Sequence, residues 1–220
     1  MFAALLDHFR MTPEKRAAAD LYDAVVAAAR QPALYQPDGP SASPNGGVAD
    51  SVDGRFDMIA LHAFLLFHRM SGREGWQATG DALANHIMKD MDRSLREMGV
   101  GDMTVGKKMK ALAQAFYGRL DAYWGAVHAA EDGALAEALV RNVYRDDAQD
   151  ADARPAAARV LSRYVRGQID NLAPQSEADI LAGRVTFAPA DSLMSGSGTE
   201  PALKDDTSKD DTTDAKEAAQ

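Results

Sequence analysis

Apolar residues recur at helical spacing along most of this chain, and the pattern predicts an all-α fold. In residues 81–98 an apolar side chain returns at every third or fourth position, and the opposite face is polar. The same period continues over 104–130, and shorter helical patterns follow Gly133 and Pro155. Alternation with a period of two, which marks half-buried strands, is not found over any length. We therefore predict a single helical domain of about six to seven helices.

Two helices can be placed near the start of the chain. The first begins after Thr12, a favourable N-cap residue, with Pro13 in its first turn. Residues 55–70, RFDMIALHAFLLFHRM, are apolar on nearly all sides, which is typical of a helix at the centre of a core. We interpret Asp53 and Asp57 as capping residues of this central helix. No apolar run reaches the roughly 18 residues that a membrane-spanning helix needs.

Two segments lack any hydrophobic period. Residues 36–54 are rich in Gly, Pro, Ser and Asp and predict a long loop. After Ala190 the chain is small, polar and charged, so we predict a helical domain over 1–190 and a disordered acidic tail over 191–220. The tail carries eight acidic residues against three lysines, which is −5 of the total formal charge of −9. This acidity disfavours nonspecific nucleic-acid binding, and we expect no specific DNA partner.

The composition also bears on catalytic and metal chemistry. The chain contains no cysteine, which excludes disulfides and thiolate metal sites. His62 and His68 lie six residues apart and do not share a helix face, so we predict no metal site. No Ser/His/Asp spacing stands out, and we expect no catalytic residue and no cofactor. An enzyme hypothesis requires His62, Asp57 and a further acid to converge in one pocket.

The stretch GVGDMTVGKKMK at 99–110 falls one residue short of the phosphate-loop pattern G-x-x-x-x-G-K-[S/T]. A phosphate loop follows a buried strand and ends in a hydroxyl that binds Mg²⁺. Here an amphipathic helix precedes the glycines, and Lys108 stands in place of the hydroxyl. We interpret the stretch as a hinge between two helices. Gly99 ends the first helix, Gly101 permits the turn, and Asp102 or Thr104 caps the second helix.

Basic and aromatic side chains gather around this hinge. The lysines lie near a predicted helix N-terminus, where cations are mildly unfavourable. The basic side chains form either a solvated face or a docking surface for an anionic partner such as RNA, lipid headgroups or an acidic protein segment. The aromatic side chains form either part of the core or a groove for an apolar client helix. The candidate partner-binding residues are Arg93, Arg96, Lys107, Lys108, Lys110, Phe116, Tyr117, Arg119 and Tyr123.

Residues 90–127, DMDRSLREMGVGDMTVGKKMKALAQAFYGRLDAYWGAV, resemble the ubiquinol–cytochrome c chaperone family. The runs LREMGVGD, MK and AFYGR carry most of this resemblance. Upstream, DGRFDMIALHAFLLFHRM and LYDAVVAAARQPALY are similar to the family's earlier helices, and GRVTFAPA is similar to its ending. The resemblance spans about residues 13–190, and it leaves out the loop at 36–50 and the acidic tail.

The resemblance implies an all-helical, non-catalytic assembly factor for the ubiquinol–cytochrome c reductase (bc1) complex. Mitochondrial relatives bind newly made cytochrome b near the ribosomal exit and act with a small partner protein. For this chain it implies cytochrome b or another bc1 subunit as client. The ribosome, the membrane surface and a small partner protein are further candidate partners. The first residues lack a basic leader, so we expect a cytoplasmic protein, or one peripheral at the inner membrane.

Three hypotheses follow. An assembly chaperone predicts an exposed apolar or methionine-rich groove beside the basic side chains. A structural adaptor predicts a flat, symmetric apolar face that pairs two chains. A small helical enzyme predicts the pocket of histidine and carboxylates described above.

Overall fold

Helices make up most of the described part of the chain, which comprises residues 11–36, 47–131, 133–144 and 153–194 of a computed structural model. Six helices have nine residues or more, and two have five, so the predicted all-α class is confirmed. The described helices are α1 (Pro13–Ala29), α2 (Val52–Met70), α3 (Trp76–Glu97), α4 (Asp102–His128), α5 (Ala134–Asn142), α6 (Arg154–Leu172), α7 (Glu177–Leu181) and α8 (Ala190–Met194).

Helix α2 lies at the centre of the core, as its all-round apolar character predicts. Every residue from Phe56 to Leu66 is buried. Helix α2 contacts α1, α4 and α6, while α1 packs on α3 and α5 packs on both α4 and α6. The amphipathic helices thus surround one fully apolar helix, which places their buried stripes inward.

The N-cap predicted for α1 is confirmed, and the N-cap predicted for α2 is not. The Thr12 hydroxyl accepts a hydrogen bond from the Lys15 amide at 3.4 Å, which confirms the predicted N-cap of α1. Helix α2 is capped by Ser51, whose hydroxyl accepts from the Gly54 amide at 3.0 Å. The interpretation of Asp53 and Asp57 as caps is therefore wrong. Asp53 lies in the first turn, and Asp57 is buried within the helix.

The predicted loop at 36–54 contains two short ordered pieces. Tyr35–Gln36 (β1) and Val48–Ala49 (β2) form a parallel strand pair, and α2 begins at Val52. A Cβ at Gly54 would lie 2.1 Å from the Ala49 carbonyl oxygen, so only glycine lets β2 pack on the start of α2. Residues 37–46 of the predicted loop lie outside the described residues.

The last described segment is fixed by side-chain amides of α6 and its C-terminal turn. Gln168 Nε2 donates to the Ala188 carbonyl and Gln175 Nε2 donates to the Thr186 carbonyl, at 2.8 and 2.7 Å. Because helix α8 follows at Ala190–Met194, the predicted boundary of disorder at 191 is too early. Residues 195–220, the rest of the predicted acidic tail, lie outside the described residues.

Candidate functional site: a cleft beside the helical hinge

The connection between α3 and α4 is a tight glycine-terminated turn. Gly99 has φ of +84°, a left-handed conformation that suits glycine. The Gly99 amide donates to the Arg96 carbonyl at 2.9 Å, and the Val100 amide donates to the Leu95 carbonyl at 3.0 Å. These two bonds satisfy carbonyl groups that the end of a helix otherwise leaves without partners. The predicted role of Gly99 is confirmed.

The start of α4 differs from the prediction in one respect. Gly101 is the N-cap residue, with extended backbone at φ −69° and ψ 155°, so the prediction of Asp102 or Thr104 as cap is wrong. The Thr104 hydroxyl donates to the Gly101 carbonyl at 3.0 Å. Asp102 is the first helical residue, and its carboxylate accepts from Arg96 at 2.5 Å. This ion pair spans the hinge and ties α3 to α4.

An open cleft of about 650 Å³ lies next to the hinge. Its walls come from the first turns of α2, the last turns of α3 and the first half of α4, with Arg30 at the end of α1. Apolar side chains from three helices line most of it. These lining residues are Val52, Phe56, Ile59, Met91, Leu95, Met98, Ala111, Leu112 and Ala115.

Two of the cleft's apolar side chains are exposed to solvent. Val52 is 63% exposed and Met98 is 52% exposed, whereas Phe56, Ile59 and Leu95 are each below 10%. The buried side chains form the floor, and the two exposed ones form the rim. The apolar groove that the chaperone hypothesis requires is thus present, and methionines contribute to both its floor and its rim.

Most charged groups around the cleft are held by neighbours within the chain. The Tyr22 hydroxyl donates to Asp90 at 2.6 Å, and Asp90 also pairs with Arg93. Burial raises the pKa of Tyr22, and the hydrogen bond to Asp90 adds to the rise, so this hydroxyl stays protonated and keeps its donor role. Arg93 also approaches Glu97 at 3.9 Å. Lys108, at the cleft mouth, forms no ion pair among the described residues.

The three lysines among the predicted partner-binding residues lie on different sides of α4. Lys107, Lys108 and Lys110 are all exposed, but of the three only Lys108 lines the cleft. Because an α-helix turns about 100° per residue, Lys108 and Lys110 point to nearly opposite sides. The arginines of α3 are largely neutralised, since Arg96 binds both Asp92, at 2.8 Å, and Asp102. The three lysines therefore supply the surplus positive charge near the hinge.

The predicted aromatic set is divided in the same way. Phe116 and Tyr123 have no exposed surface and lie in the core, where they cannot contact a partner in this conformation. Tyr117 is 54% exposed on the outer side of α4, with Trp124, which is 39% exposed, one heptad further along. For Phe116 and Tyr123, the alternative of a core role fits the structure. For Tyr117 and the exposed basic residues, partner binding remains a prediction.

Arg119 forms a buried ion pair that sequence reasoning missed. Its guanidinium lies 2.6 Å from the Asp57 carboxylate, with side-chain exposures of 9% and 1%. Arg119 also donates to the Ala115 carbonyl at 2.9 Å and stacks over the Phe56 ring at 5.1 Å. The pair joins α2 to α4 at the inner end of the cleft, so Arg119 builds the cleft wall. The one sequence signal was Asp57, a carboxylate inside an otherwise apolar helix.

The groups named in the enzyme hypothesis do not converge. His62 is fully buried, with Nδ1 2.7 Å from the Met58 carbonyl and Nε2 2.7 Å from the Tyr164 hydroxyl. Because a carbonyl only accepts, Nδ1 carries the proton and Nε2 accepts from Tyr164. Asp57 is paired with Arg119, and neither His62 nor Asp57 lines the cleft. Among residues 11–36, 47–131, 133–144 and 153–194, no three His, Asp or Glu side chains are placed to hold a metal ion.

Within the described ranges, none of the helices combines the length and the apolar character that crossing a bilayer requires.

The cleft side of α2 was not predicted from the sequence. Val52, Phe56 and Ile59 contribute to it at positions that read as an ordinary core helix. An apolar residue in the first turn, where polar capping residues are usual, is the signal that marks Val52. Arg30 was likewise missed as a lining residue, because its proximity to the cleft depends on how α1 packs against α3.

Comparison with known proteins gives two findings. The family model described as ubiquinol-cytochrome C chaperone matches residues 45–187. The crystal structure of the Cbp3 homolog from Brucella abortus is similar at 34% sequence identity, with a TM-score of 0.67. That match covers 88% of this chain and 99% of the other chain. No curated protein matches this chain.

Proposed function

This chain belongs to the ubiquinol–cytochrome c chaperone family, and from that premise we propose that it assists assembly of the bc1 complex by holding newly made cytochrome b. The observation that carries the proposal is the cleft beside the hinge. It is open, apolar on its floor and rim, and bordered by Lys108, which forms no ion pair with any residue that the structure describes. These are the properties that a temporary holder of an apolar segment needs.

The cleft suits one face of an apolar or amphipathic helix. A helix in a groove presents anchors at every third or fourth residue, and the cleft offers apolar contacts along α2, α3 and α4. Burying one large aliphatic side chain is worth about 1.5–3 kcal/mol, so two or three anchors are enough for reversible binding. Lys108 at the mouth would favour an acidic side chain or the negative C-terminal end of the bound helix.

The same geometry supports a non-catalytic role. Asp90 in the cleft and the Asp57–Arg119 pair at its inner end are engaged in structural contacts within the chain. A general acid or base needs freedom to reach a substrate proton, and these groups are held by their neighbours. We propose that the cleft binds its client and releases it unchanged.

The exposed lysines that lie away from the cleft could bind partners other than the client. Lys107 and Lys110 point away from the cleft and leave it open to a client. Ribosome, membrane surface and a small partner protein all remain proposals for the surface around the hinge. Work at the membrane surface would place the chain where cytochrome b is inserted.

The test uses the near-opposite orientations of Lys108 and Lys110. Tagged wild-type protein, Lys108→Glu and Lys110→Glu are each used to recover bc1 subunits from native membranes. We expect Lys108→Glu and the rim variant Met98→Asp to lose most of the cytochrome b that the wild type recovers, because both change the cleft. Lys110→Glu should recover cytochrome b as the wild type does.

Two outcomes would contradict the proposal. Recovery of cytochrome b by all folded variants would move the binding surface away from the cleft. Failure of the wild type to recover any bc1 subunit would mean that the family's role does not extend to this chain. Circular dichroism of each variant serves as the folding control.

A further inference from the structure

The outer side of α4 is a helix-long face that is exposed along most of its length, and only at its C-terminal end do Trp124 and His128 contact His68 of α2 among the described residues. Met103 is 99% exposed and Tyr117 is 54% exposed, and polar residues on the same side are also exposed. The face is marked by steps of four and three residues along the helix, the spacing of a coiled-coil seam. Its members are Met103, Lys107, Lys110, Gln114, Tyr117, Asp121, Trp124 and His128.

We call this row of residues the α4 seam. Its sequence of residue types is self-complementary, because two antiparallel copies place each side chain opposite one that it can bind. We propose that the seam binds a second copy of this chain, with the two α4 helices antiparallel and the two-fold axis between Ala115 and Phe116. In that register Lys110 lies opposite the partner's Asp121, and Lys107 lies opposite the partner's Trp124. A two-fold axis makes each of these pairs twice, which is the property of an isologous interface.

Every pair across the seam is chemically matched. Lysine meets aspartate in an ion pair, and lysine meets the tryptophan face in a cation–π contact. Gln114 meets the tyrosine hydroxyl at position 117, and the Met103 sulfur meets the imidazole at position 128. Shifting the register by one heptad in either direction places Lys110 opposite Gln114 or His128 instead of an acid and leaves Asp121 without a lysine. Charge complementarity therefore selects both the second copy and this register.

The glycines of α4 fit the same arrangement. Gly106 and Gly125 are placed equally far from the proposed axis, and Gly118 is matched with Ala113. Within the described residues, a Cβ added at Gly106, Gly118 or Gly125 would meet nothing within 4 Å, so packing inside this chain does not account for them. Small residues at a helix seam let two backbones approach closely.

Charged side chains on the seam are available for ion pairs with a second chain. In the described part of the chain, Lys107, Lys110 and Asp121 form no ion pair, in contrast to Arg93, Arg96 and Arg119. An anionic membrane would be attracted by the lysines but repelled by Asp121 on the same face. Because the seam is largely polar, the dimer should be weak, concentration-dependent and sensitive to salt.

The proposed dimer leaves the cleft free. The seam lies on the side of α4 away from Lys108, Leu112 and Ala115, which face the cleft. Pairing and client binding can therefore occur together, and the inference does not rest on the proposed chaperone role. A failure of one leaves the other standing.

A charge exchange tests the register. Sedimentation velocity of the full chain at rising concentration should show the wild type approaching twice the monomer mass. Lys110→Asp and Asp121→Lys should each raise the dimer dissociation constant by at least about tenfold, because each creates two like-charge pairs. Mixing the two variants should restore wild-type dimerisation, since both pairs regain opposite charges. Lys89→Asp, on the exposed side of α3, is the matched control and should have no effect.

The absence of cysteine permits a second, independent readout. Chains carrying Gln114→Cys, mixed with chains carrying Tyr117→Cys, should form a disulfide-linked heterodimer under mild oxidation. Chains carrying Lys107→Cys, mixed with Tyr117→Cys, should not, because position 107 lies opposite the partner's position 124, which is seven residues and about 10 Å of helix from the partner's position 117.

Several results would overturn the inference. A wild type that stays monomeric at hundreds of micromolar protein would refute the seam as a dimer surface. Single charge variants that dimerise as well as the wild type would refute it too. A mixture of the two variants that fails to regain dimerisation would refute the antiparallel pairing.

Discussion

At the scale of single residues, the ion pair of Asp57 and Arg119 is the feature that most shapes the cleft. Asp57 is fully enclosed and Arg119 nearly so, and the pair links the central helix to α4. A buried pair is costly to break, because the remaining charge loses its partner without regaining water. The sequence contained the clue, a carboxylate in an apolar helix, but its partner lies 62 positions later and could not be identified from spacing.

The first prediction follows from this burial. Arg119→Met should lower the free energy of unfolding by about 3 kcal/mol or more, because it strands the Asp57 carboxylate in the core. Combining it with Asp57→Leu should recover most of that loss. Arg93→Met, which breaks exposed pairs instead, should change stability little. Urea unfolding of the three variants measures the difference, and a double variant no more stable than Arg119→Met would contradict the account.

His62 makes stability depend on pH. Burial lowers its pKa to about 4 in the folded chain, against an ordinary value of 6.5. As pH falls below 6.5 the unfolded chain takes up a proton that the folded chain does not, so folding becomes less favourable. Between pH 7 and pH 5 this group alone should remove about 2 kcal/mol of stability.

The variant His62→Gln isolates this effect. It should be less stable than the wild type at pH 7, but its stability should fall less between pH 7 and pH 5. Urea denaturation at both pH values gives the comparison. Equal pH dependence in the two proteins would show that His62 is protonated as readily when folded as when unfolded.

At the scale of elements, the hydrophobic period identified the helices and their buried faces better than their ends. Leu83, Ile87, Met91 and Leu95 are buried as predicted, since a period of 3.6 residues determines which side faces the core. The start of α3 at Trp76, five residues before the predicted start, was missed. Its N-cap is Gly75 in a left-handed conformation, a weaker signal than a serine or aspartate.

The glycines at the hinge and within α4 should respond in opposite directions. Gly99→Ala should cost about 1 kcal/mol, because φ of +84° strains any residue with a Cβ. Gly118→Ala should stabilise the chain by up to about 1 kcal/mol, since it lies inside a helix with open space around it. Urea midpoints at low protein concentration provide the measurement. Destabilisation by Gly118→Ala in the monomer would mean that this glycine is needed within the chain.

At the scale of the whole molecule, the cleft arises from parts that no sequence period connects. Its walls come from residues near 52–59, 91–98 and 108–119, which become neighbours only when α2, α3 and α4 pack. The sequence predicted the hinge and the basic residues because these are local. It could not separate Lys108 from Lys110 by role, because that distinction depends on which side of α4 the other helices cover.

The measurement that tests the central claim most directly locates newly made cytochrome b on α4. A photo-cross-linking residue is placed at position 108 or at position 110, and cross-linking follows in cells that are synthesising cytochrome b. The account predicts an adduct with cytochrome b from position 108, and from position 110 either none or a link to a second copy of the chain. Equal cytochrome b adducts from both positions, or an adduct from position 110 alone, would contradict the cleft as the client site.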